Sequence, residues 1–295
     1  MQWTPGGVSK DIEDRRDDSG GGGGFGGFGG GGFGGVHLGI GGTLILLVLS
    51  FLFKTNLFQF FGGGGAESQP SQIEQRAADP QRSQAERPEV LFVSFVLDDV
   101  QKNWDKTLPQ SGRPYHHARL VLFRDAIESP CGLARSATGP FYCPGDEKVY
   151  VDLGFFDELK TRFGAPGEFA QAYVLAHEIG HHVQKILGIE AQVRRAQERN
   201  PELQNPLSVK LELQADCLAG VWANSTEQRN LVNQNDIAAG LRAAAAVGDD
   251  RLQRMARGRV SPETFTHGSS ADRMHWFQQG LNTGTVSGCN TFANR

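Results

Sequence analysis

Apolar residues recur every three or four positions along much of the chain after residue 88, a spacing that is typical of amphipathic helices. Residues 89–108 show this pattern first. The segment from Pro166 to Leu187 shows it again, with Pro166 suited to the first turn of a helix and Gly188 to its end. The spacing predicts helices over both segments and a mostly helical chain after residue 155.

Two short segments have the composition of strands instead. Residues 117–123 and 148–153 are rich in β-branched and aromatic residues. The predicted fold class is therefore α+β, with a small sheet and a mostly helical C-terminal part. Residues 148–153 are expected to form either a cleft edge that pairs with an extended peptide or an ordinary core strand.

The front of the chain has a different composition. Residues 1–19 are polar and dense in charge, and residues 20–35 contain thirteen glycines interrupted by three phenylalanines. Such a sequence buries too little apolar surface to fold alone, so residues 1–35 are predicted to be a disordered acidic and Gly/Phe-rich segment. The glycine tract contains no arginine and the whole chain has a net charge of −4, which together argue against nucleic-acid binding.

An apolar run follows this front segment. No charge interrupts the sixteen residues of Leu38–Phe53, and beyond Lys54 the apolar character continues to Phe61. Because about 20 residues are needed to cross the hydrocarbon of a membrane, we predict a single-pass transmembrane signal anchor over residues 36–61, in contact with the lipid bilayer. A cleaved signal peptide is the alternative, but the run has no basic segment at its start.

Residues 62–87 are predicted to be a flexible linker, and residues 88–295 a folded domain. Basic residues are similarly frequent on both sides of the apolar run, so the positive-inside rule does not orient it. Four cysteines suffice for two disulfides and favour an exported domain. Cys131 and Cys143 enclose a short loop, and Cys217 would then pair with Cys289, although four cysteines allow three pairings.

Candidate chemistry lies on the predicted helix that starts near Pro166. His177-Glu178-Ile179-Gly180-His181 fits the pattern H-E-x-x-H, in which two histidines four residues apart share one helix face and can hold one metal ion. Zinc suits nitrogen and oxygen ligands, and a catalytic site binds it with three protein ligands and a water. Glu178 would be the general base toward that water. We therefore predict one Zn²⁺ per chain.

A second pair of polar residues has the same helical spacing. Asn205-Pro206 suits the start of a helix, and Glu212 and Asp216 lie four residues apart on it. One carboxylate can complete the zinc ligands, while the other accepts a hydrogen bond from a ligating histidine. The spacing alone does not decide which carboxylate binds the metal and which one accepts the hydrogen bond. A solvent-exposed helix face that binds no metal is the alternative.

Together these residues resemble the gluzincin metallopeptidases and, more closely, the bacterial neutral zinc metallopeptidase family. The resemblance covers about residues 88–295 and implies a zincin-like domain behind a membrane span. It implies His177, His181 and Glu212 as zinc ligands, Glu178 as catalytic base and Asp216 as the partner of a ligating histidine. The segments that carry it are His177–Gln184, Glu212–Gly220, Cys131-Gly132, Gly139–Pro144 and Cys289–Phe292.

Thr266-His267-Gly268 is similar to the Thr-His-Pro…Arg segment of membrane-bound gluzincins, with Gly268 in place of the proline and Arg273 close by. Peptide hydrolysis needs a donor toward the developing oxyanion in addition to the metal. His267 is the candidate for that catalytic role. A surface loop that caps the helix at 270–281 is the alternative.

The function predicted from these residues is a membrane-anchored zinc endopeptidase that acts on peptides or proteins, with its catalytic domain on the exported side. A deformylase-like zinc hydrolase would need Cys131 as third metal ligand, and it would leave Glu212 and Asp216 unexplained. A zinc-stabilised, non-catalytic membrane scaffold is the other alternative. Glu178 argues against it, because a structural zinc site has no use for a base beside its ligands.

Overall fold

The structure is a computed structural model, and it describes residues 1–18, 79–136 and 139–293. The predicted transmembrane anchor over residues 36–61 and the Gly/Phe-rich tract over residues 20–35 lie outside the described residues. Within the described ranges, no helix combines the length and the apolar composition that a bilayer crossing requires.

The described residues form nine α-helices and six strands, which confirms the predicted α+β class and the mostly helical C-terminal part. The helices are α1 (Pro80–Ala85), α2 (Arg87–Thr107), α3 (Gly154–Thr161), α4 (Glu168–Ile186), α5 (Ile189–Arg199), α6 (Gln204–Gln228), α7 (Gln234–Ala246), α8 (Asp249–Arg257) and α9 (Ser270–Thr283). The strands are β1 (Ile12–Asp14), β2 (Arg119–Phe123), β3 (Ala126–Ser129), β4 (Gly132–Arg135), β5 (Phe141–Cys143) and β6 (Lys148–Asp152).

Four strands form the main sheet in the order β1-β2-β6-β5, while β3 and β4 form a separate hairpin. β1 and β6 pair with β2 in parallel, and β5 pairs with β6 antiparallel, with Tyr142 opposite Val149. β6 is therefore paired on both sides. The expectation that residues 148–153 form a free cleft edge is wrong, and β5 is the edge strand at that end of the described sheet.

Residues 1–18 belong to the folded domain. Ile12–Asp14 forms β1, which pairs with residues 120–122 of β2, and Asp11 and Arg16 are buried. The prediction that residues 1–35 are disordered is thus wrong for this part. The segment is too polar to fold alone, but β2 offers an unpaired edge and the domain offers partners for its charges.

The predicted linker over residues 62–87 ends earlier than expected, because α1 and the start of α2 lie within it. Asp79 accepts a hydrogen bond from the backbone N–H of Arg82, and Pro80 occupies the first turn. These are ordinary signals for a helix start. The described domain therefore extends at least from residue 79.

The core is built around α4, which packs against α2, α6 and α7. α6 and α9 approach each other most closely at Gly220 and Gly280. A Cβ atom at Gly280 would lie 1.8 Å from the backbone oxygen of Cys217, and one at Gly220 would lie 2.1 Å from that of Phe277. Only glycine fits at such distances, so these two residues allow α9 to lie directly against α6.

Both predicted disulfides are present, and they leave no free cysteine among the described residues. Cys131–Cys143 connects the turn of the β3–β4 hairpin to the end of β5. Cys217–Cys289 connects α6 to the C-terminal turn. The deformylase-like alternative is thereby excluded, because the sulfur of Cys131 is bonded to that of Cys143 and is not available as a metal ligand.

Candidate metal centre

α4 and α6 bring the predicted ligands together. The ligand atoms of His177, His181 and Glu212 all lie within 4.8 Å of one another. His177 Nε2 is 3.2 Å from Glu212 Oε2, and His181 Nε2 is 3.5 Å from Glu212 Oε1. Gly180 permits this approach, since a Cβ atom there would lie 3.0 Å from the backbone oxygen of Ala215.

Both histidines are oriented through their second ring nitrogen. His177 Nδ1 donates to Asp216 Oδ1 at 2.9 Å, and His181 Nδ1 donates to Gln184 Oε1 at 2.9 Å. Gln184 is itself fixed, because its amide donates to the backbone oxygen of Leu211. In both rings Nε2 therefore points toward Glu212, the arrangement that orients metal-binding histidines.

Asp216 is fully buried and heavily hydrogen-bonded. Arg273 donates to both of its oxygens, at 2.8 and 2.9 Å, and the Tyr173 hydroxyl donates to Oδ1 at 2.5 Å. Burial raises the pKa of Asp216, but the charge of Arg273 outweighs this effect and holds the pKa below its usual value. Arg273 thus lies behind His177 and supports Asp216, and it is not a second donor beside His267.

The donor set fits a zinc ion, since two imidazole nitrogens and one carboxylate are the ligands of many catalytic zinc sites. The charges fit as well. Burial lowers the pKa of His177, but Asp216 and Glu212 overcome this and raise it to about 10. The two buried carboxylates therefore favour positive charge at His177, in addition to the Arg273 guanidinium that pairs with Asp216.

Glu178 lies beside this centre and faces the edge of β5. Its side chain is largely buried, with 8% of the residue surface exposed. Burial raises the pKa of Glu178 to about 7, and the charge of Glu212 acts in the same direction. The backbone N–H of Tyr142 donates to Glu178 and opposes this shift. The contact also shows that the unpaired side of β5 faces Glu178.

His267 lies on the loop between α8 and α9. Asp249 accepts hydrogen bonds from the backbone N–H groups of Thr266, His267 and Gly268, at 2.7, 2.6 and 3.1 Å. Its other oxygen is 3.4 Å from His267 Nδ1. Burial lowers the pKa of His267. The negative charges of Glu212 and Asp249 raise it by more, so the net shift of the pKa is upward.

The loop packs on α6 next to the metal centre. A Cβ atom at Gly268 would lie 3.1 Å from the side chain of Leu213, the residue after Glu212. Gly268 has a φ of +96°, which a proline ring cannot adopt. The departure from the Thr-His-Pro pattern thus has a backbone cause.

Three residues that hold the side chains of the candidate site in place were not identified from the sequence. Gln184 is three residues after His181 on the same helix, a spacing that could have indicated the contact. Tyr173 is four residues before His177 and had the same signal. No sequence signal pointed to Asp249, because its contact with the loop at 266–268 depends on how α8 and α9 pack.

Two other histidines of the described residues form hydrogen bonds outside the group of His177, His181 and Glu212. His182 is fully buried, accepts from the Tyr142 hydroxyl at 2.9 Å and donates to the backbone oxygen of His116 at 2.8 Å. Both ring nitrogens of His182 are therefore hydrogen-bonded. His117 lies between Asp11 and Asp105 at 2.7 and 3.1 Å.

Comparison with known proteins gives one family. The profile of the family described as "Putative neutral zinc metallopeptidase" matches residues 1–292. The chain is 41% identical over 295 residues to the uncharacterized protein YpfJ of Escherichia coli K12, with 99% of each chain covered. It is 44% identical over 207 residues to the uncharacterized protein Rv2575 of Mycobacterium tuberculosis H37Rv, with 66% of this chain and 68% of that protein covered. No solved structure matches the chain.

Proposed function

This chain belongs to the neutral zinc metallopeptidase family, and on that basis we propose that it is a zinc-dependent endopeptidase with Glu178 as its general base. The observation that carries the proposal is the position of Glu178. Its carboxylate is buried beside the group formed by His177, His181 and Glu212. A purely structural zinc site needs no such base.

His177 Nε2, His181 Nε2 and Glu212 would hold the Zn²⁺ ion. When bound, zinc polarises the scissile carbonyl and lowers the pKa of a water molecule at the site. Asp216 and Gln184 keep the two imidazole rings aligned. Arg273 keeps Asp216 ionised, so that His177 presents the lone pair of Nε2 to the metal.

Glu178 would take a proton from the attacking water and deliver it to the leaving amine. A pKa of about 7 suits both steps, because the group releases and accepts a proton near neutral pH. Bound zinc will lower this pKa, since a nearby cation favours the carboxylate. His267, held by Asp249, would donate an N–H toward the oxyanion that forms on the substrate.

The substrate would be an extended peptide that adds to β5. This strand is the edge of the sheet next to β6, and its free side faces Glu178. An extended backbone pairs readily with such an edge. The two disulfides support a location on the exported side.

The test compares the full-length chain with its Glu178→Gln variant, each loaded with zinc and assayed on a mixed peptide library by mass spectrometry. We expect cleavage by the wild type, equal zinc content in both proteins, and loss of cleavage in the variant. Glu198→Gln is the matched control, because Glu198 is an exposed residue of α5 and should leave cleavage unchanged. If neither the wild type nor the variant cleaved any peptide although both were folded and zinc-loaded, the result would support a non-catalytic scaffold instead.

A further inference from the structure

The chain leaves the described domain at residue 18 and enters it again at residue 79, and the two ends are bound to each other. Arg16 Nη1 lies 2.7 Å from Glu86 Oε2, and Ser83 Oγ donates to Asp17 at 2.8 Å. Arg124, next to the end of β2, donates to both Asp17 and Glu86 at 2.7 Å. We call these five residues the end clamp.

Three of the four charged side chains of the end clamp are shielded from water, and Asp17 is 45% exposed. The side chains of Arg16, Arg124 and Glu86 are 6, 10 and 16% exposed. Such charges are costly to leave unpaired, since each would be desolvated without its partner. The end clamp is therefore a strong constraint and not a loose surface contact.

The rest of the N-terminal segment is attached along its length. The terminal amino group of Met1 lies 2.8 Å from Asp236 on α7. The Trp3 ring packs on Phe92 of α2 at 5.3 Å. Asp11 accepts from Gln101 at 3.1 Å, and β1 pairs with β2. The family profile also begins at residue 1, so this segment is part of the shared sequence.

These contacts conflict with a single membrane crossing. One crossing between residues 18 and 79 would place β1 and β2 on opposite sides of the bilayer, and it would separate Arg16 and Asp17 from their partners Ser83, Glu86 and Arg124. An even number of crossings keeps them together.

We propose that residues 1–18 and 79–293 lie on the same side of the membrane. The amino terminus shares a compartment with the two disulfides. A single-pass anchor, as predicted from the sequence, would instead place these two parts on opposite sides.

The test uses the full-length chain with two new cysteines, Val8→Cys and Met255→Cys. Both residues are 50% exposed and lie outside the metal centre. The protein is reconstituted into sealed vesicles of phosphatidylethanolamine and phosphatidylglycerol. It is then treated with a membrane-impermeant polyethylene glycol maleimide, and the tags on each molecule are counted by gel shift.

If residues 1–18 and 79–293 lie on the same side of the membrane, each molecule will carry two tags or none, whichever way it is oriented. A single crossing predicts one tag on every molecule, and that result would overturn the proposal. Protein that stays on the vesicle surface would carry two tags, as a chain without a crossing should. Detergent must give two tags on all molecules, and the wild type must give none, because its four cysteines form disulfides.

Discussion

Asp249 holds His267 in place by accepting hydrogen bonds from the backbone N–H groups of residues 266–268 and by lying 3.4 Å from His267 Nδ1. One carboxylate thus fixes both the loop and the imidazole. The Thr266 hydroxyl adds a contact to the same nitrogen at 2.9 Å. Nε2 of His267 is therefore the ring nitrogen left to act on a substrate.

We predict that His267→Ala lowers kcat by about 100- to 1,000-fold, the usual cost of losing one oxyanion donor. Asp249→Asn should lower kcat by about 10- to 100-fold, because the donor remains but its orientation is lost. Zinc content should not change in either variant. Steady-state kinetics with a peptide substrate and metal analysis measure both effects.

Glu263→Gln is the control for this pair, since Glu263 is exposed on the segment before the loop. It should keep the wild-type kcat. If His267→Ala also kept the wild-type kcat, the loop at 266–268 would have only the structural role of capping α9.

Zinc affinity should rise with pH because the metal competes with a proton on His177. In the metal-free protein the pKa of His177 is raised to about 10, so at pH 7 the ring is protonated and must lose its proton to bind zinc. Each pH unit between about 7 and 9 should then increase the zinc association constant about tenfold.

Calorimetry in two buffers with different ionisation enthalpies will count the released protons. We expect about one from His177, with any proton lost by Glu178 added at lower pH. Asp216→Asn should reduce the release near neutral pH, because it removes a charge that raises the pKa of His177. A zinc affinity independent of pH, without proton release, would contradict the arrangement described for His177.

The buried pair of Asp216 and Arg273 should be essential for stability as well as for the metal centre. Asp216→Asn leaves the Arg273 guanidinium buried without its counter-charge, which typically costs about 3 to 5 kcal/mol. We therefore expect a large fall in Tm. The double variant with Arg273→Gln should recover part of this loss, since it removes the unpaired charge.

An exposed ion pair provides the comparison. Arg15 and Asp18 lie 2.8 Å apart with side chains 49 and 56% exposed, and Asp18→Asn should change the free energy of unfolding by about 0 to 1 kcal/mol. Thermal and denaturant unfolding measure all of these variants. Equal small effects at Asp216 and Asp18 would show that the buried network is not needed for folding.

Features that depend on residues close in sequence were predictable. The periodicity around His177 and His181 identified α4, and the four-residue spacing of Glu212 and Asp216 placed both carboxylates on α6. The structure brings these groups together, because helical spacing fixes which side chains share a face. The fold class followed from the same local patterns.

Features that depend on packing between distant segments were not predictable. β5 is only three residues long, and nothing in Phe141–Cys143 shows that it is the edge beside Glu178. β1 is polar and forms a strand only because it pairs with the edge of β2. Arg273 is close to His267 in sequence. Its side chain nevertheless contacts Asp216, because α9 packs directly against α6 at Gly220.

Each disulfide begins one residue away from a group of the proposed active site. Cys143 follows Tyr142, whose backbone faces Glu178, and Cys217 follows Asp216, which orients His177. Oxidation of the cysteines therefore ties both β5, beside Glu178, and α6, beside His177, to other segments of the chain. Under the proposed function and location, a newly made chain in a reducing compartment would lack both bonds, and the metal centre would gain these two constraints only after export.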